Sequence, residues 1–201
     1  MLAADNFIYS RISKYAVILE KGIHPKHRLM KYHDFFLSNI DFDDTVLDVG
    51  CGNGSVAYDI AKKANSVMGI DIDEEKIRDA KKNFLLDNIE YICGDIINWP
   101  FKKKFDVIIL SNVLEHIEDR TKLLKKIGEL GRKFLIRVPM INRSWVALYK
   151  KEMGIEYRLD RTHKIEYTMG SFTGELEKAG LKICDYSVQF GEIWAVVSSK
   201  T

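Results

Sequence analysis

Between residues 45 and 139 five short apolar runs alternate with stretches of helical periodicity, and this alternation constrains the fold more than any other feature of the chain. The runs are TVLDV (45–49), SVMGID (66–71), IEYIC (89–93), FDVIIL (105–110) and KFLIRVP (133–139). Between them Val56, Ala57, Ile60, Ala61 and Ala64, then Ile77, Ala80 and Phe84, then Ile117, Leu124 and Ile127 recur at helical spacing. Strands of nearly continuous Val, Ile and Leu character need apolar cover on both faces, and the connecting helices supply it. The pattern therefore predicts a parallel sheet in a three-layer α/β fold. A helix around SFTGELEKAG and a closing hairpin from LKICDYSV and EIWAVVSS complete the chain.

Two helices are expected ahead of the first strand. In FIYSRISKYAVILEKG, Ile8, Ile12, Tyr15, Ala16 and Leu19 share a stripe and Gly22 is a plausible stop. In HPKHRLMKYHDFFLSNI, Pro25 suits a first turn, and Leu29, His33, Phe36, Leu37 and Ile40 share a face. With 201 residues the chain is expected to form one domain. Its parts are a helical cap (1–43), a core (44–139), an insertion or lid (140–170), and a last helix with the hairpin (171–201).

Charge narrows the partners. A net +2 from 31 basic and 29 acidic side chains gives no nucleic-acid or membrane field, so neither RNA binding nor membrane insertion is expected. The three cysteines, Cys51, Cys93 and Cys184, form no CxxC pair and fit a reducing compartment. The first residues lack a signal-peptide pattern and no apolar run reaches the roughly 20 residues of a membrane span, so a cytoplasmic location is expected.

In TVLDVGCGNGSVA, Gly50, Gly52 and Gly54 stand at alternate positions between a strand and a helix, directly behind Asp48. Such a junction permits unusual φ values and close approach of a ligand to the backbone. Asp71 ends the second run, where a carboxylate can accept from ribose hydroxyls, and Asp95 follows the third, placed for an exocyclic amine. Asp73 reads as a helix cap. The spacing G-x-G-x-G is not the dinucleotide fingerprint G-x-G-x-x-G/A, and Asp48 suits a cationic ligand better than a pyrophosphate.

With DVGCGNG, GIDID, CGDI and FDVIILSNVLEHIED in this order, the chain resembles the class I S-adenosylmethionine-dependent methyltransferases, over residues 45–139. The SNVLEHIED form is similar to the broad type 11-like branch that acts on small molecules. The resemblance implies a Rossmann-like sheet of order 3-2-1-4-5-7-6, mostly parallel with an antiparallel C-terminal strand, and S-adenosyl-L-methionine as cofactor. It implies that Asp48, Gly50, Gly52 and the backbone of Cys51 surround the methionine portion, while Asp71 holds the ribose and Ile72 packs on adenine. Asp95, with Ile96 nearby, would contact the adenine amine. Ser111 and Asn112 would border the sulfonium.

The acceptor side is less specified. His116 is the first candidate general base, with His163 and His33 behind it; a helix-bound structural role competes for His116, and a core role for His33. The insertion carries six basic residues against three acids over 143–164. Arg143, Arg158, Arg161 and His163 are expected to help hold an anionic or polyhydroxylated small acceptor. His24 and His27 lack a third ligand, so no metal site is expected. The expected reaction is in-line methyl transfer to a small molecule, at an oxygen. A non-catalytic S-adenosylmethionine-binding protein and a methyltransferase acting on tRNA or protein are the alternatives. Oligomeric state is not specified by the sequence.

Overall fold

A computed structural model describes residues 5–20 and 24–200. Seven strands form one sheet of order β3-β2-β1-β4-β5-β7-β6, the order that the resemblance implied. They are β1 (Thr45–Val49), β2 (Ser66–Asp71), β3 (Ile89–Cys93), β4 (Phe105–Ser111), β5 (Gly131–Pro139), β6 (Leu181–Gln189) and β7 (Glu192–Ser199). The first five run parallel, and β7 lies antiparallel to both β5 and β6.

The apolar runs are continuous because alternate residues enter different layers. Leu47 and Val49 pack with Ile108, Leu110, Phe134 and Ile136 beneath α6 (Arg120–Leu130) and α8 (Met169–Lys178). Val46, Val107, Ile109 and Leu135 face the opposite layer. That layer holds α3 (Tyr32–Ser38), α4 (Ser55–Ala61) and α5 (Glu74–Asn83). Two side-chain caps anchor the helices: Asp73, read as a cap from the sequence, accepts from the amides of Glu75 and Lys76, and Asp119 accepts from that of Lys122.

The N-terminal segment departs from expectation. The expected second helix breaks at Lys31, whose φ of 52° is left-handed, into α2 (Lys26–Met30) and α3. The break rotates the two halves apart, so Tyr32, Phe36 and Ile40 enter the core while Leu29 stays exposed. In α1 (Asp5–Leu19) the expected stripe is not the covered one. Ile8, Ile12, Tyr15 and Leu19 are exposed, whereas Ser13, Ala16 and Val17 are partly covered. Gly22, the expected stop of this helix, lies outside the described residues. Ile117 also lies outside α6, ending a single 3-10 turn at Leu114–His116.

Between β5 and α8 the chain makes its insertion, which contains α7 (Trp145–Glu152). Its two ends are clasped: the Tyr167 amide donates to the Pro139 carbonyl and the Ile141 amide to the Tyr167 carbonyl, both at 2.9 Å. Among the described residues no helix is long and apolar enough to cross a membrane.

Gly54 shows how tightly the glycine turn is built. Its φ is +84°, and a Cβ there would stand 2.5 Å from the Tyr91 hydroxyl and 2.9 Å from the Ala80 methyl. Left-handed strain and overpacking add, so Gly54→Ala is expected to destabilise the fold by roughly 2–4 kcal/mol, read from denaturant unfolding.

Candidate active site

At the carboxyl end of β1 the chain turns through Gly50 (φ 66°), Gly52 (φ 55°) and Gly54. The amides of Gly50 and Cys51 donate to the Ile70 carbonyl, which fixes the turn against β2. A Cβ on Gly50 would meet Val113 at 2.7 Å, whereas one on Gly52 would project into open space. Gly52 thus leaves a cradle beside the backbone. Cys51 turns its buried thiol onto β2 above Gly69, and burial pushes its pKa up, so it remains a neutral packing group.

Two carboxylates flank this turn. Asp48 is 1% exposed, and its Oδ2 has no hydrogen-bond partner among the described residues. Burial, with the charge of Asp71 as the smaller cause, raises its pKa to about 7. An unpaired buried carboxylate is costly, and a cationic ligand group relieves that cost. Asp71 is pinned by the Gly52 amide (2.8 Å) and the Asp73 amide (2.9 Å), which leaves further lone pairs for hydroxyl donors. Asp95 accepts from the Ile97 amide and the Asn98 side chain, and Ile72 is exposed beside the crevice. Ile96 is buried in the core. Ser111 Oγ accepts from Arg137 at 3.2 Å.

Asn112 stands at the junction of this crevice with a second cavity. It holds φ 56°, and its Oδ1 is buried without a partner among the described residues. The cavity measures about 710 Å³ and lies between α1, α2, the 3-10 turn, the insertion and the β6–β7 turn. A concavity of about 960 Å³ at the amino ends of β4 and β5 lies at the opposite end of the strands, remote from these groups.

Three side chains converge on the cavity wall. Glu115 is fully buried, neither carboxylate oxygen has a hydrogen-bond partner among the described residues, and burial lifts its pKa to about 8. His116 and His163 meet edge to face with centroids 4.8 Å apart. The insertion returns over the 3-10 turn, where the Lys164 amide donates to the Glu115 carbonyl at 2.6 Å, and this places His163 beside a residue 47 positions earlier. Thr162 donates its hydroxyl proton to Asp160 (2.8 Å), so the Thr162 oxygen accepts from His116 Nδ1 at 2.9 Å. His116 Nε2 then carries the lone pair. His163 Nδ1 likewise faces the Glu166 carboxylate at 3.2 Å, leaving its own Nε2 free to accept. Burial, then the neighbouring His163, lowers the pKa of His116, so this imidazole is neutral near pH 7. Ligand atoms of Glu115, His116 and His163 lie within 4.8 Å of one another, a spacing that serves proton exchange and also suits a small cation.

Of the expected acceptor residues only Arg143 and the two histidines line this cavity. The Arg143 guanidinium is itself engaged by Glu166 and by the carbonyls of Met140 and Tyr157, which makes it a brace of the insertion. Arg158 pairs with Glu156 and donates to the His163 carbonyl. Arg161 is exposed outside the cavity. His33 donates to Asp59 of α4 at 2.7 Å and faces a separate cleft beneath the cap. The residues that sequence reasoning passed over are Glu115 and Lys26. Lys26 reaches the cavity from α2, and burial, then Arg137, lowers its pKa.

The methyltransferase domain family matches residues 40–154. The ubiquinone biosynthesis O-methyltransferase of Coxiella burnetii is 32% identical over 152 residues, covering 70% of this chain and 64% of that protein. The chain thus spans under two thirds of that relative's length. The magnesium protoporphyrin IX methyltransferase of Synechocystis, solved with bound S-adenosylhomocysteine, superposes with a TM-score of 0.68 at 17% identity, over 88% of this chain and 83% of that one. An S-adenosylmethionine-dependent methyltransferase of Clostridium acetobutylicum gives 0.69 at 17% identity, over 96% and 100%. At such identities these structures speak for the fold, and the family match speaks for descent. The chain belongs to the methyltransferase domain family and has the fold of the class I S-adenosylmethionine-dependent methyltransferases.

Proposed function

We propose that this chain transfers a methyl group from S-adenosylmethionine to a hydroxyl oxygen of a small molecule seated beside Glu115. The observation that carries the reading is one unpartnered, buried carboxylate in each of two adjoining compartments, Asp48 in the crevice and Glu115 in the cavity.

Bound S-adenosylmethionine supplies a methyl group on a cationic sulfur. Asp48 pairs with the ammonium of its methionine portion, and Gly50, Cys51 and Gly52 lend backbone and the open cradle. Asp71 accepts from the ribose hydroxyls, Ile72 covers one adenine face, Asp95 accepts from the amine and Ile96 supports that wall. Ser111 and Asn112 border the reacting end. On the acceptor side Glu115 orients the substrate hydroxyl, and Lys26 offers a cation to an acidic substituent. With the donor bound, the acceptor hydroxyl would give its proton to His116 Nε2 as its oxygen takes up the methyl group. Thr162 and Asp160 hold the tautomer that receives it, and His163 gives the proton a second acceptor on its way to water.

The test is incubation with methyl-labelled S-adenosylmethionine and a cell extract divided into small-molecule, RNA and protein fractions. Label is expected in the small-molecule fraction and lost with Asp71→Ala; label in RNA or protein overturns the acceptor class. Once a substrate is identified, His116→Gln is expected to lower kcat by about 10²–10⁴-fold. The wild-type acid limb should then lie below the ordinary histidine value of 6.5, because the depressed pKa delays protonation of the base to lower pH.

A further inference from the structure

Three side chains on the cavity wall bring acceptor atoms together. The Glu115 carboxylate is fully buried, and no described residue donates a hydrogen bond to either of its oxygens. His116 uses Nδ1 on Thr162 and His163 uses Nδ1 on Glu166, which leaves an Nε2 lone pair on each ring. One ligand atom from each of the three residues lies within 4.8 Å of the other two, and no other group of His, Cys, Asp and Glu among the described residues meets that spacing. The fold thus assembles here the third ligand that His24 and His27 lack.

Convergent acceptors repel, and a shared proton relieves only one pair of them. A divalent cation relieves all three. Two imidazoles and a carboxylate with open positions form a donor set that suits first-row transition cations better than Mg²⁺ or Ca²⁺. Bonds of about 2.0–2.2 Å hold the ligand atoms of such a cation at most about 4.4 Å apart. A closure of roughly 0.4 Å at most therefore completes the group.

The groups behind the two rings fit the same role. Thr162, itself bonded to Asp160, fixes His116, while Glu166, held by the Arg143 guanidinium and the Leu159 amide, fixes His163. A hydroxyl or carboxylate on the far nitrogen sets the tautomer and makes the near nitrogen a better ligand. Asn112 lines the same cavity, its buried Oδ1 also without a partner among the described residues. His116 is exposed and lines the cavity, so the group is open on one side to a small molecule.

We propose that Glu115, His116 and His163 bind a divalent first-row transition cation, with an open position toward the cavity that takes the acceptor oxygen. The acceptor clause rests on the methyl-transfer reading above; the cation site stands without it. In the cation-free chain the acceptor proton would go to His116 Nε2. With the three ligands loaded, both Nε2 lone pairs are occupied. The acceptor hydroxyl then coordinates, its O–H bond breaks, the proton leaves to solvent, and the oxygen keeps the electron pair that bonds the methyl group.

Titration of the EDTA-treated, desalted chain with Co²⁺ tests the site, read by the visible absorption of the bound ion and by calorimetry. A single equivalent is expected to bind, and Zn²⁺ should displace it. His116→Ala and His163→Ala are each expected to weaken Co²⁺ binding by about 100-fold, and Thr162→Val, which removes only the partner of His116, by about tenfold. Circular dichroism and melting curves certify that each variant folds, and the exposed position of His116 makes its removal the least disturbing to packing. His24→Ala/His27→Ala should bind Co²⁺ as the wild type does. Absence of Co²⁺ binding, several weak equivalents, or binding that survives both His116→Ala and His163→Ala overturns the proposal. Methyl transfer by a chain that binds no Co²⁺ would remove the cation site and leave the methyl-transfer reading. Co²⁺ binding by a chain that transfers no methyl group to any cell fraction would do the reverse.

Discussion

Asp48→Asn is expected to lower affinity for S-adenosylmethionine by about 10–100-fold while raising the stability of the ligand-free protein. Both effects follow from one unpaired buried oxygen. A hydrogen bond to a charged group contributes about 1.5–3 kcal/mol, and the amide of Asn offers no charge to an ammonium. In the free protein the same charge is a liability, because burial holds it at a pKa of about 7 against an ordinary 3.8. Between these values the folded chain retains a proton that the unfolded chain has released, so stability falls as pH rises through that window, by at most about 1.4 kcal/mol per unit. Glu115, raised from 4.5 to about 8, adds a slope of the same sign. The proposed pairing with the ligand's ammonium requires the ionised form of Asp48, so wild-type affinity should fall as pH drops below about 7, and Asp48→Asn should abolish that dependence. Isothermal calorimetry across pH, with melting curves of the free proteins, measures both.

The second large effect is expected at Arg137. This side chain is 2% exposed, bonds Glu192 through two nitrogens (2.5 and 3.2 Å), donates to Ser111, and lies 3.8 Å from the Tyr32 ring centroid. Arg137→Met takes two donors from the buried Glu192 carboxylate, to which the Trp194 indole also donates at 2.9 Å. The expected loss is about 3–5 kcal/mol in chemical unfolding. Arg137→Met/Glu192→Met should recover most of it, since removing both charges also removes their desolvation cost. The cap answers differently. Tyr32 loses its cation in both variants, so hydrogen exchange in α3 should accelerate in the double variant even where global stability returns.

The sequence was most legible where one chemical requirement governed each position. The strands β1 to β5 declared themselves because a doubly covered sheet demands unbroken apolar runs, and the glycine turn because left-handed φ values at three alternate positions exclude most side chains. The N-terminal segment was less legible. Periodicity identified α1 as amphipathic but carries no information on what covers its apolar arc, and nothing in HRLMKYHD marks the left-handed Lys31 that splits α2 from α3. The cavity beside Glu115 was only partly legible for a geometric reason. His163 meets His116 because the insertion folds back on the 3-10 turn, a long-range event without local signature. The basic residues of that insertion suggested anion binding, yet Arg143 and Arg158 are spent on Glu166 and Glu156. Glu115 went unweighed because burial, not residue type, makes it unusual.

The clasp between Pro139, Ile141 and Tyr167 has an evolutionary meaning. Because the two ends of the insertion are already joined beside the sheet, the entropy of closing the loop changes only slowly with its length. The segment between can therefore lengthen, shorten or be replaced with little strain passed to β5 or α8. On the proposed function, the donor half of the molecule is a fixed chassis and the insertion an exchangeable cassette on the acceptor side. A lineage built this way can change what it methylates without renegotiating how it folds.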